Sequence, residues 1–480
     1  MNVLSIVSEC APFAKTGGLA DVAGALAKAL GPLGCKSQTL MPAYPALKPL
    51  AEKGRQIASF DRLMGGPARI LRVRASGVDL LLLDAPHLFD RPGHIYLDAS
   101  GKDWSDNHLR FGALCKAGAE IALGRLPDWQ PDVVHAHDWQ AGLVPLYLRQ
   151  AGSALPVVTT IHNIAFQGIF PPSVMAPLAL SSAHFTVDGF EYWEKVSFLK
   201  AGLVYADHIT TVSPTYAHEL LMPDFGMGFE GLLGARAGRL SGILNGIDVE
   251  DWNPATDPRI DANYSTRSKK GKVRNRIALA RSFGVELPED APLFGLVSRL
   301  TSQKGLDLMV EATPHLLARG GALVVLGSGD KALERAFADL ATAHPGRVGF
   351  DTRFDEGLAH QLQAGADVML VPSRFEPCGL TQLCALRYGT IPLVSLTGGL
   401  ADTVINANPA ALAAGCATGF QFSPVTKGAL IHALDRCFDT YADPVAWKRL
   451  VSNAMAQDVS WSTSAARYAA LYKELASAHD

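Results

Sequence analysis

Short runs of β-branched residues and leucine alternate along this chain with longer helical patterns. In the first half the runs fall at 3–8, 80–84, 133–136, 157–161, 208–212 and 240–244, and in the second at 293–297, 323–326, 348–350, 368–371 and 391–396. Near-continuous apolar runs predict parallel strands buried on both faces, and their alternation with helices predicts an α/β chain in two halves. Between the halves, 251–290 is polar and punctuated by prolines, as a domain junction is. Near the end, Tyr468, Leu471, Tyr472 and Leu475 recur by three and four, which predicts an amphipathic helix that buries one face, back on the first half.

Composition narrows the class. A chain of 480 residues with 48% hydrophobic and 19% charged positions is globular and long enough for two or three domains. Its apolar stretches fall well short of the ~20 residues that cross a bilayer, so no membrane partner is expected. The start, Met1-Asn2-Val3-Leu4-Ser5-Ile6, has no basic leader and reads as a first buried strand. Seven scattered cysteines without C-x-x-C spacing predict reduced thiols in a cytoplasmic protein. A net charge of −3 argues against a nucleic-acid partner, and the basic run 267–276 reads as the start of a solvated helix.

Candidate chemistry gathers where apolar runs end. The hexapeptide Thr-Gly-Gly-Leu-Ala-Asp occurs at 16–21, after Lys15, and again at 397–402. Paired glycines before a helix let backbone N–H groups approach an anion at the helix's positive end, so both copies, Gly17-Gly18 and Gly398-Gly399, predict such a site and suggest two nucleotide-fold halves. Arg299 and Lys304 follow the run at 293–297, where two cations suit a diphosphate. Glu376 precedes Cys378, Gly379, Leu380 and Thr381 in a strand-to-helix loop that could hold hydroxyls and phosphate together. Gly327-Ser328-Gly329-Asp330-Lys331-Ala332, with Asp351 beyond it, fits a dinucleotide fingerprint and keeps a nicotinamide oxidoreductase open. Trp104, Trp139, Tyr192 and Trp193 keep open a non-catalytic glucan-binding protein, with core packing as the plainer account. His135, His137, Asp138 and His162 resemble metal ligands only superficially, and Asp248, Glu250 and Asp251 read as turn and linker residues, so no metal is expected.

Taken together, 15–22, Lys200-Ala201-Gly202-Leu203-Val204-Tyr205-Ala206-Asp207 with Thr211-Val212-Ser213-Pro214, Ile243-Leu244-Asn245-Gly246-Ile247-Asp248 and 373–380 resemble the bacterial glycogen synthase and plant starch synthase family over essentially the whole chain. The resemblance implies a GT-B fold: two Rossmann-like domains, 1–245 and 246–455, facing across a deep cleft, with a terminal helix, 456–480, crossing back to the first. It also implies retaining transfer of glucose from ADP-glucose to the non-reducing end of glycogen or another α-1,4-glucan, without a cofactor. Carried onto this chain, Lys15, Arg299 and Lys304 meet the diphosphate, with Gly379, Leu380 and Thr381 beside it. Phe354 faces the adenine, while Asp21 and Tyr96 lie near the nucleotide. Glu376 holds glucose hydroxyls, Asp138, Asn163 and Asn245 line the sugar site, and the carbonyl of His162 faces the anomeric carbon. Many retaining relatives of the wider fold carry a second glutamate eight residues after the first. Cys384 stands there instead; the synthase branch generally lacks that acid, which removes one candidate ligand for the nucleotide ribose.

Overall fold

The structure, a computed structural model, describes residues 1–286, 290, 292–353 and 355–478. The chain divides into two compact units, one of residues 1–245 with 461–480 and the other of 246–460.

The first unit is built on a nine-stranded sheet in the order Leu240–Gly242, His208–Thr211, Val157–Ile161, Val133–His137, Asn2–Ile6, Lys36–Pro42, Val78–Asp84, Gly66–Ala75, Arg55–Leu63. The first seven are parallel. Contrary to the all-parallel expectation, the last two add an antiparallel hairpin at one edge. In that hairpin only the apolar Phe60, Leu63, Ala68, Ile70 and Leu71 are buried and the rest is exposed or half-buried, because an edge open to water on one face needs apolar residues only on the other. The strands Val133–His137 and Val157–Ile161 are fully buried; of their polar members His135, His137 and Thr160 are hydrogen-bonded, while Thr159 Oγ1 has no partner among the described residues. The closing helix Ser462–Ser477 packs Ala465, Tyr468, Ala469 and Tyr472 against Val3, Val22, Leu26, Val133 and Val158 of this same unit.

The second unit has a six-stranded, all-parallel sheet in the order Val348–Asp351, Ala322–Leu326, Leu293–Val297, Val368–Val371, Ile391–Ser395, Phe420–Phe422. In chain order this is 3-2-1-4-5-6, the Rossmann arrangement, whose order reverses between Leu293–Val297 and Val368–Val371. Helices from the two sides diverge there and leave a crevice at the strands' carboxyl ends. The basic run opens the helix Lys270–Ser282, but not as a wholly solvated segment. Lys272 is half-buried, and its ammonium donates to the carbonyls of Ala364, Ala366 and Tyr388 and to Thr390 Oγ1. Burial lowers its pKa to about 7. Among the described residues no helix is long and apolar enough to cross a membrane.

Candidate active site

Each unit presents a cluster at the point where its strand order reverses. In the second unit, Leu293–Val297 runs into Ser298, Arg299 and the short turn Ser302–Lys304, while Val368–Val371 runs into Ser373 and Glu376. Lys304 Nζ lies 2.5 Å from Glu376 Oε2, which also accepts from Ser373 Oγ at 2.9 Å. Gly305 makes this approach possible: at φ +63 it turns the chain so tightly that a Cβ would sit 2.0 Å from the Pro372 carbonyl oxygen. Arg374 forks onto Asp307 at 2.7 and 2.6 Å, locking the two loops together. A cavity of about 50 Å³ lies between them, lined by Ser298, Lys304, Ser373, Glu376, Gly379 and Thr381 among others. Gly379 and Leu380 lead into the helix Thr381–Tyr388, whose first backbone N–H groups and dipole favour an anion. Arg299 is exposed and its guanidinium has no partner among the described residues. Cys378 is buried, its carbonyl accepting from Gln382 Nε2.

The second copy of the repeated hexapeptide does not form an open anion site. The Gly399 N–H donates to the carbonyls of Glu376 and Pro377, and a Cβ there would meet the Cys378 carbonyl oxygen at 2.2 Å. Its glycines allow backbone to pack on backbone, so this turn braces the loop that carries Glu376.

In the first unit the order reverses at the strand Asn2–Ile6, between Lys36–Pro42 and Val133–His137. Here the hexapeptide meets a carboxylate that sequence reasoning missed. Glu9 is buried and accepts from the Thr16 N–H, Thr16 Oγ1, the Gly17 N–H and the Tyr96 hydroxyl. Burial raises the Glu9 pKa, and these donors oppose the rise. Tyr96 shares its hydroxyl with Ser8 Oγ at 2.6 Å, and burial holds its phenol protonated. The available signal was Glu9's place just past the first strand, within reach of a glycine turn. Lys15 is paired with Asp21 at 2.8 Å, both partly exposed, and Gly18 opens the helix Gly18–Leu30.

Beside them, Asp138 has φ +54 and ψ −168, a conformation essentially reserved for glycine and costing roughly 1–3 kcal/mol elsewhere. Its carboxylate accepts from the His162 N–H at 2.7 Å, and burial raises its pKa to about 7 against the pull of the His162 and Asn163 amides. The histidines form hydrogen-bonded pairs instead of a metal nest. His137 Nδ1 is 2.9 Å from His162 Nε2, and His135 lies between Thr160 Oγ1 and the Tyr472 hydroxyl. Burial lowers the pKa of His135 and His162 to about 3, so both are neutral. Asn163 is partly buried, and Asn245 is buried with its side-chain oxygen unpartnered among the described residues. Phe354 lies outside the described residues.

The other candidate chemistry resolves differently. Around Gly327–Ala332, the helix Lys331–Ala343 is capped by Asp330, Glu334 accepts from the Gly329 N–H, and Asp351 is tied to Arg353. Asp330 and Glu334 thus take up the backbone amides of this turn that a pyrophosphate would need, and Asp351 is engaged by a guanidinium. Trp139 is buried against Phe111, Phe170 and Phe198, Tyr192 stacks on Phe229, and Arg91 covers Trp104. Of the four aromatics only Trp193 stands out, 80% exposed. Asp248 caps its own turn through the Glu250 and Asp251 amides. Among the described residues the one group spaced for a metal is Asp251, Glu356 and His360, and there Asp251 already pairs with Arg259 at 2.6 Å.

Residues 2–235 match the family described as starch synthase catalytic domain, and 280–449 match glycosyl transferases group 1. The chain is 58% identical over 476 residues to a glycogen synthase of Roseobacter denitrificans and 53% identical over 476 residues to one of Rhodopseudomonas palustris, covering 99% of both partners in each case. The solved catalytic domain of starch synthase IV from Arabidopsis thaliana, bound to ADP and acarbose, superposes with a TM-score of 0.88 at 32% identity, covering 99% of each chain. A sucrose-phosphate synthase from Thermosynechococcus elongatus, at 20% identity and a TM-score of 0.62 over 99% of each chain, shares the fold. With its two Rossmann-like units in the GT-B fold, the chain belongs to the glycogen and starch synthase family of glycosyltransferases.

Proposed function

We propose that this protein transfers glucose from ADP-glucose to the non-reducing end of an α-1,4-glucan such as glycogen, with retention, in the cytoplasm and without metal or other cofactor. The observation that carries the reading is the Lys304–Glu376–Ser373 cluster around a cavity at the second unit's reversal point, with the unpartnered Arg299 beside it. The relatives' family and the ADP and acarbose bound to the starch synthase IV domain support the choice of donor and acceptor.

In this reading Arg299, Lys304 and Lys15 balance the diphosphate, with Gly379, Leu380 and Thr381 offering backbone donors and Cys378 shaping their turn. Glu376 holds glucose hydroxyls, its carboxylate already aligned by Ser373 and Lys304. Asp138, Asn163, Asn245 and the His162 carbonyl line the sugar site, and Tyr96 and Asp21 border the nucleotide. Phe354 is assigned to the adenine. As the bond between the anomeric carbon and the diphosphate oxygen breaks, negative charge grows on the leaving group, where fixed cations stabilise it more than the ground state. A retaining glycosidase would use a carboxylate nucleophile. Glu376 and Asp138 are both engaged by donors suited to hydroxyl binding, so same-face attack is preferred. The acceptor hydroxyl attacks as ADP departs and passes its proton to the leaving phosphate.

Glu376→Ala tests this directly. Turnover is expected to fall by roughly 10²-fold or more in a protein that still folds, with Glu376→Gln, which keeps the shape, also impaired. Near-normal turnover in either folded variant would remove Glu376 from the site.

A further inference from the structure

The first unit's central strands bury a run of polar residues on one face of the sheet. Ser5 and His135 pair across parallel strands, and His137 follows two residues on, so all three share one face. All three are buried, and so is Thr160. A buried polar group without a partner is costly, so each hydroxyl and ring nitrogen here must be either donor or acceptor.

The assignment can be worked through from the ends. Ser5 Oγ has one side-chain contact among the described residues, His137 Nε2 at 3.2 Å. A hydroxyl whose sole partner is an imidazole nitrogen satisfies its hydrogen by donating to it. That makes His137 Nε2 the acceptor and leaves the proton of this ring, neutral because burial holds its pKa well below the usual range, on Nδ1. His137 Nδ1 then donates across 2.9 Å to His162 Nε2. His162 is neutral as well, so its proton is on Nδ1, which meets no other described group and is free to donate. The same reasoning applied to the neighbouring ring has the Tyr472 hydroxyl donate to His135 Nδ1, and His135 Nε2 donate to Thr160 Oγ1. The two chains do not exchange protons, but the rings of His135 and His137 lie against each other, tilted by 35° with centroids 3.9 Å apart. The charged neighbours facing this stripe are few: Asp138 bonds the His162 amide, and the packed helices bring Tyr468 and Tyr472.

We propose that Ser5 is a positioning residue that fixes the tautomer of His162 through His137, so that His162 presents an N–H donor to an oxygen of the bound sugar. This rests on the reading of the His162 region as the sugar site, but the tautomer itself belongs to the free protein. A merely structural Ser5 would leave the tautomer of His162 untouched, whereas a positioning Ser5 sets it.

The test is ¹⁵N NMR of histidine-labelled full-length protein without substrate, assigned with His137→Gln and His162→Gln, for wild type, Ser5→Ala and Ser5→Thr. Wild type is expected to show protonated Nδ1 and unprotonated Nε2 on both His137 and His162. In Ser5→Ala both rings should become mixtures or invert, and Ser5→Thr, which restores a hydroxyl, should return the wild-type pattern. Turnover with ADP-glucose and glycogen should fall roughly 10-fold in Ser5→Ala with little change in the donor KM, and recover in Ser5→Thr. An unchanged His162 tautomer in folded Ser5→Ala, or protonated Nε2 in the wild type, overturns the proposal. Absence of transfer by the wild type would instead defeat the reading of function, leaving the NMR result to decide the tautomer by itself.

Discussion

At the scale of single residues, Asp138 carries two signs of a working group: a backbone conformation that favours glycine, and a carboxyl held protonated near neutrality by burial. Its pKa is raised from 3.8 to about 7, so between those values the folded protein binds more protons than the unfolded one. Stability contributed by this group is therefore greatest at low pH and is lost as pH rises through about 7. Glu9 shifts in the same direction, so the comparison that isolates Asp138 is wild type against Asp138→Asn. The difference in unfolding free energy between them should change steadily from pH 4.5 to 7.5, with the wild type losing ground as pH rises. A pH-independent difference would mean that Asp138 titrates normally. Several residues of the candidate site were legible as types, because Lys304, Arg299 and Glu376 stand in loops just past apolar runs, Lys304 beside Gly305. Their partners were not. The ion pair of Lys304 with Glu376 joins segments about seventy positions apart, and Glu9 lacked any local spacing that marked it as the acceptor of the Thr16 and Gly17 amides.

Among elements, the strand-to-helix turns do the positioning. Gly305 is among the tightest of them, and Gly305→Ala would force its Cβ against the Pro372 carbonyl while holding a strained φ. The variant should be less stable by about 1–3 kcal/mol, measured by urea unfolding. It should also lose turnover out of proportion, because the turn separates Lys304 from its helix. Wild-type stability and rate would show that the two loops tolerate displacement. Most central strands were legible because buried parallel strands are nearly all apolar. Lys36–Pro42, Arg55–Leu63 and Gly66–Ala75 were not, since their polar residues alternate with or precede the apolar ones in a way that local hydropathy does not separate from loops. Likewise the basic run hides Lys272, whose ammonium is held by carbonyls from two other segments. The two hexapeptides read identically in sequence. Only tertiary packing distinguishes the turn that faces Glu9 from the turn that braces Glu376.

For the whole molecule, the account assigns cations from both units to one diphosphate. Arg299 is the better partner for a double-mutant cycle with Lys15, because removing Lys304 would strand the buried Glu376 carboxylate. Lys15→Ala and Arg299→Ala should each lower kcat/KM, and the pair should depart from additivity by about 0.5–3 kcal/mol. Strict additivity would place the two cations on different ligands. The central claim is glucosyl transfer, and its most direct measurement is release of ADP by the purified full-length chain, treated with chelator and supplied with ADP-glucose and glycogen. The account predicts ADP release that requires both substrates, matched by α-linked lengthening of the glucan, and slower release with UDP-glucose. No release, release that ignores the glucan, or activity restored only by a divalent metal would contradict it.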